Sequence, residues 1–406
     1  MEVTSNGALG YAQRVSGAET GYMETAQNNS AHEAATRLGQ LKPLLTADPG
    51  NDRLARECIE LALQAGDFGF VIERADKTLA ASPSDPQALF DRASALMGAC
   101  DYRDAIVSLR AVLERVPDAA AAQFNLGLCH YCLSEYPQAR RPLEAAHAAG
   151  DASAGLLRVL VSTLHHLGEI DEAVKLCDEN APAAESDGAL AGVYALAYLD
   201  ANRADAAARW AATALRSNPD SLDGLVVQGT LSTARMDLGR ARAAFERALQ
   251  LAPSTGRAWI GLGMLALLAN DPRNAITLIE RGLQSMPAHV GSWHALGWAH
   301  LVSNDLDAAE AVFGRAMELD RNFAESHGAL ASIAALRGRR AEAQRAIDVA
   351  LRLDPRCLGA QFARSVLTRS AGDSSNAERI IQAALAELRA SSGGVLGKLM
   401  ERATRH

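Results

Sequence analysis

Few strings in this chain could carry chemistry. Cys129-His-Tyr-Cys132 places two thiols and an imidazole within four residues, the raw material of a metal site or a redox pair. No second CxxC completes a four-ligand set, and Leu133 stands where a haem-attachment string requires His. His165 and His166 are adjacent, so on a helix they point apart and do not chelate. His294 and His300 are six apart, and His300 and His327 have no carboxylate or thiol beside them in the pattern. Arg140-Arg141 and Arg337-Gly-Arg-Arg340 are interleaved with Glu and Asp, as on a solvated face. There is no phosphate-cradling Gly loop, no nucleophile elbow and no HExxH. The expectation is a chain that is not an enzyme, with no catalytic residues, no metal and no cofactor.

Composition narrows the partners. The net charge is −8, which gives no basic field for nucleic acid. No window approaches 18 uncharged apolar residues, so no membrane insertion is expected. The N-terminal stretch carries Glu2 and lacks the basic-then-apolar order of a secretory signal. The six cysteines are scattered, which suits free thiols in a cytoplasmic protein. Ala occurs 82 times, and Arg outnumbers Lys 36 to 4, the signature of a GC-rich bacterial genome.

The elements that must position any site follow from self-similarity. Trp259/Trp293, Leu262/Leu296, Gly263/Gly297, Asn270/Asn304, Asp271/Asp305 and Ala275/Ala309 recur 34 residues apart. The register runs without insertion from Asp52 to Ser391, 340 residues or ten repeats. Counting each repeat from Asp52, position 20 is Ala in nine of ten, and position 32 is Pro in six. Positions 4, 7, 8 and 11 form one amphipathic helical stripe, and positions 20, 24, 27 and 28 form another. Asp at position 16 (Asp67, Asp101, Asp237, Asp271, Asp305, Asp373) stands where it can cap the second helix. Pro at 32 stops that helix. Small residues at 8 and 20 let two antiparallel helices approach. Each pair can bury its stripe only against its neighbours.

Ten repeats of this kind resemble the tetratricopeptide repeat, over about 84% of the chain. The resemblance implies an all-α fold, a right-handed α-solenoid superhelix of antiparallel helix pairs. Four segments are expected. Residues 1–30 lack periodicity and are expected to be a disordered N-terminal segment, and 31–51 form an N-terminal capping helix or half repeat. Residues 52–391 carry the ten repeats, and 392–406 hold a linker and a short amphipathic helix over Val395–Ala403. Ala181–Asp187, in the weak fourth repeat, is expected to be a looser joint.

In the family, positions 2, 5, 9 and 12 of the first helix line an inner groove, and they do fall off the packing stripe. Among the thirty residues at 5, 9 and 12, only Arg56, Glu60, Arg158 and Arg369 carry a full charge. The family's carboxylate clamp and Asn ladder are not matched; only Asn125 fits the ladder. What remains is apolar. The candidate partner-binding residues are Phe90, Phe124, Leu128, Tyr131, Ile260, Met264, Leu267, His294, Trp298, Leu301 and Phe362. They suit a hydrophobic or amphipathic protein segment. The competing reading is that these side chains pack between adjacent helices. The resemblance implies an interaction scaffold or adaptor, with assembly of a bacterial secretion, pilus or polysaccharide machine as one context. The alternative is a peptide-sensing regulatory subunit of an enzyme or transcription system on another chain. Self-association is left open.

Overall fold

The computed structural model describes residues 23–391, with side chains described from 30 to 383. Among them are 22 helices and no strand. The first helix spans Met23–Ala47, eight residues earlier than periodicity placed it, and carries Leu38, Leu41 and Leu45 against the first repeat. Residues 1–22 and the expected C-terminal helix over Val395–Ala403 lie outside the described residues.

The 34-residue register then acts as a ruler. The first helix of every repeat, helix A, starts at position 1, and the second, helix B, starts at position 17. In repeat three these are Ala120–Cys132 and Tyr136–Ala148; in repeat eight, Val290–Val302 and Leu306–Leu319. The capping prediction holds at all six aspartates. Asp101 accepts the N–H of Asp104 at 3.3 Å, Asp305 that of Ala308 at 3.1 Å, and Asp373 that of Asn376 at 3.0 Å. Asp67, Asp237 and Asp271 cap in the same way.

The turn between A and B is more specific than its polar composition suggested. Position 15 is left-handed in all ten repeats, from φ 57° at Asn202 to 92° at Gly372. The N–H at 16 then returns to the carbonyl at 11, as from Asp67 to Ala62 at 2.8 Å, which closes a Schellman turn. Gly fills position 15 four times and Asn three times, the residues that reach this region most easily. Cys100, Ser134 and Met236 occupy it at a steric cost.

Packing follows the small positions. All ten residues at position 20 are fully buried, from Val71 to Ala377. Opposite lies position 8. A Cβ on Gly297 would stand 2.4 Å from Phe313, so the glycine is the notch that receives that ring. Position 4 ties repeats together: Trp259 and Trp293 donate their indole N–H to the carbonyls of Pro253 and Pro287, at 2.8 and 2.9 Å.

One expectation fails. Ala181–Ser186 is not a loose joint but a six-residue helix that follows Ile170–Glu179. Ala184 is fully buried there, and Tyr194 donates its hydroxyl to the carbonyl of Asn180. Apolar contact, absent from the polar look of the string, orders it.

The chain divides into two compact units, residues 1–224 and 225–406. In each, helices pack on their chain neighbours and A helices touch A helices of the next repeat. The first unit holds repeats one to five and the second takes over within helix Leu222–Ala234.

Candidate interaction surface

The cysteine, histidine and arginine strings resolve into ordinary packing. Cys129 is fully buried, and burial pushes its thiol, and more weakly that of Cys132, up from the ordinary range. The rings of His165 and His166 sit at 75° to each other. His165 pairs with Asp200, while His166 stacks on Tyr136 at 4.2 Å. His327 donates to the carbonyl of Arg321, and His300 faces Asp305. Among the described residues, no group of three or more His, Cys, Asp and Glu side chains is placed to hold a metal. No described helix is long and apolar enough to cross a membrane. Arg337 and Arg339 bridge to Asp307, Glu310 and Glu342, which links the B helices of adjacent repeats.

The groove rows divide by unit. Of the fifteen residues at positions 5, 9 and 12 in the second unit, ten are buried; in the first unit, only four are. Seven of the eleven candidate residues are therefore not an open floor. Phe124, Leu128, Leu267, His294, Trp298, Leu301 and Phe362 are all under 10% exposed. The physical reason is close approach of neighbouring A helices. A Cβ on Gly328 would lie 2.6 Å from the backbone of Ala360, so these helices meet nearly backbone to backbone. Side chains beside such a contact are enclosed. Trp298 meets Phe313 and Phe362 edge to face, and His294 lies against Phe313 and Phe323. His294 hydrogen-bonds the hydroxyl of Ser326 at 2.8 Å, and burial pulls its pKa down to about 4.

Four candidates remain half-buried: Phe90 and Tyr131 in the first unit, Ile260 and Met264 in the second. Tyr131 carries the richer surroundings. Its ring meets Tyr136 edge to face at 5.6 Å and His166 at 6.1 Å. Burial raises its phenol to about 12, against the pull of a hydrogen bond with Ser162. Beside this aromatic group, Asn125 is 3% exposed, with no hydrogen-bond partner for its side-chain oxygen.

The first unit also holds a cation that sequence rows alone did not explain. Arg56, at position 5, reaches the carboxylate of Asp91 at 3.0 Å, and Gln87 donates to the same oxygen at 2.9 Å. Asp91 is 5% exposed; burial pushes its carboxyl up, and Arg56 pulls it back down. Asp91 is position 6 of the following repeat, a row read for Asn and for basic residues but not for carboxylates. The charge split was also missed. Residues 1–224 hold 31 Asp and Glu against 18 Lys and Arg, a net −13; residues 225–406 hold 17 against 22, a net +5. A net of −8 for the whole chain hides this.

Comparison with known proteins agrees with the helix pairs. A tetratricopeptide-repeat family model matches residues 90–155 and 234–290, and a second such model matches 266–333. This is a tetratricopeptide-repeat protein. Among solved structures it is similar to the APC/C hetero-tetramer Cut9–Hcn1, at 13% identity and a TM-score of 0.52, covering 87% of this chain and 82% of that one. A tetratricopeptide-repeat protein from Parabacteroides merdae matches at 16% identity and a TM-score of 0.47, over 60% of this chain and 97% of its own. YrrB, described as having an unusual peptide-binding site, matches at 19% identity and a TM-score of 0.40, over 46% and 96%. At these identities the likeness is one of fold. No curated protein matches.

Proposed function

We propose that this tetratricopeptide-repeat protein is a non-catalytic interaction scaffold that holds a polypeptide segment of a partner on the A-helix face of its first unit. The observation that carries this reading is the contrast in burial: rows 5, 9 and 12 are mostly part-exposed in the first unit and mostly buried in the second. Phe90 and Tyr131 offer apolar and aromatic surface there, and such surface is enriched at protein contacts. An extended or helical segment laid across successive A helices would meet one such row per repeat.

Site-specific photo-crosslinking in the source cell tests it. A photoreactive phenylalanine analogue is placed at Phe90, at Tyr131, or at Val107, which is 66% exposed on a B helix. Adducts are expected from the first two sites and not from Val107. Equal adduct yields at all three would remove the preference for the A-helix face.

A further inference from the structure

Two arginines in the first unit occupy position 5, and only one finds a partner among the described residues. Arg56, in helix Asp52–Ala65, meets Asp91 at position 6 of the next repeat, with Gln87 at position 2 steadying the carboxylate. Arg158, in helix Ala154–Leu167, occupies the equivalent place three repeats on. Its counterparts in the next repeat are Val193 at position 6 and Ala189 at position 2. The carboxylate and the amide have both been replaced by apolar groups.

Arg158 is half-buried, and it makes no hydrogen bond and no ion pair with any described residue. Asp200 is engaged by His165, and Asp223 lies over Gly192. The Arg158 guanidinium supplies five donors in a fork that matches a carboxylate. One turn before Arg158 on the same helix, the ring of Phe124 in the preceding repeat reaches within 4.0 Å of the Cβ position of Gly155.

Resting on the proposed function, we infer that the segment held on the first unit carries an Asp or Glu side chain flanked by apolar residues, and that its carboxylate takes on Arg158 the place that Asp91 takes on Arg56. The unit carries a net −13 by sequence, so recognition is local: one anion at one guanidinium, within an otherwise acidic unit. A strongly acidic segment would be repelled by that net charge far more than a single carboxylate.

The test uses the full chain and a fluorescein-labelled twelve-residue peptide with Leu and Phe at alternate positions, one central Asp, and an amidated C-terminus that removes the chain-end carboxylate. A second peptide carries Asn for Asp. Fluorescence anisotropy is measured with the wild-type chain, with Arg158→Val, and with Val193→Asp. The last variant gives Arg158 an internal carboxylate at the position that Asp91 holds for Arg56, so it fills the site without emptying it. Both variants are expected to bind the Asp peptide at least tenfold more weakly than wild type. The Asn peptide is expected to bind all three equally and weakly. Thermal unfolding of Val193→Asp at or above the wild-type midpoint shows that lost binding is not lost folding. Equal affinity of wild type and both variants for the Asp peptide overturns the inference, as does absence of binding to wild type. A Phe90→Ala, Tyr131→Ala double variant separates the two readings. If it loses binding while the Arg158 variants do not, the face stands and the carboxylate falls. If neither set matters, both fall.

Discussion

The same 34-residue pattern builds both units, and each buries aromatics such as Trp210 and Tyr194 in the first and Phe313 in the second, yet rows 5, 9 and 12 are mostly buried in the second unit and mostly part-exposed in the first. In the second unit Trp298, Phe313 and Phe362 are under 5% exposed, and Trp298 lies edge to face with both phenylalanines. In the first, Phe90, Tyr131 and Tyr136 stay half-buried, and Tyr136 stacks with the exposed His166. The difference rests on what stands opposite. Gly297 and Gly328 make room for a ring and for a neighbouring backbone, so aromatic surface can move inward. Position 5 of the first unit carries Arg56 and Arg158, whose charges keep that face near solvent. A repeat stack can thus close one region for stability and leave another open for a partner without changing its ruler.

The contrast should show first in stability. Phe313→Ala empties a fully buried site and is expected to cost about 3–5 kcal/mol, whereas Phe90→Ala, half-exposed, is expected to cost about 1 kcal/mol. Hydrogen exchange by repeat, together with guanidinium unfolding, measures both. Equal costs would break the distinction between a closed and an open unit.

Acid is the next probe. The pKa of His294 falls from an unfolded value near 6.5 to about 4 in the fold, so the unfolded chain takes up the proton first. The stability this neutral ring supports is therefore present above pH 6.5 and is lost as pH falls toward 4. The loss is up to about 3 kcal/mol, at 1.36 kcal/mol per pKa unit. His294→Gln should flatten that part of the profile for the second unit. An unchanged slope between pH 6.5 and 4 would mean the closed face is not dry.

The smallest effect should be shared by both units. Cys100→Gly and Met236→Gly, one in each unit, relieve a left-handed residue and are expected to gain about 1 kcal/mol each. Asn270→Gly should change stability by less than about 0.5 kcal/mol, because Asn already tolerates that conformation. Thermal midpoints decide this. A gain in only one unit would show that the turns, too, differ between them.

Much of the fold was legible in one dimension because its interactions are short-range. The six aspartate caps act over three residues, and the position-20 residues face the neighbouring helix of the same repeat. The position-15 conformation was half hidden: Gly and Asn advertise it, while Cys100, Ser134 and Met236 do not. Ala181–Ser186 was misread because its order comes from burial of Ala184 rather than from its own pattern. The eleven candidate groove residues were identified by row. Whether a row opens to solvent depends on the distance between A helices, and no single repeat encodes that distance.

The sequence alone determined the repeat, its phase, its caps and its two helices, because a 34-residue period with small residues at fixed places permits one way of burying both stripes. It also held the charge split and the Arg158 anomaly, but neither had meaning without neighbours. Only the tertiary structure decided that Trp298 and Phe362 go inside, that Tyr131 does not, and that Asp91 answers Arg56 while Val193 leaves Arg158 unanswered. Burial and ion pairing are properties of two surfaces brought together, and a sequence row supplies one surface at a time.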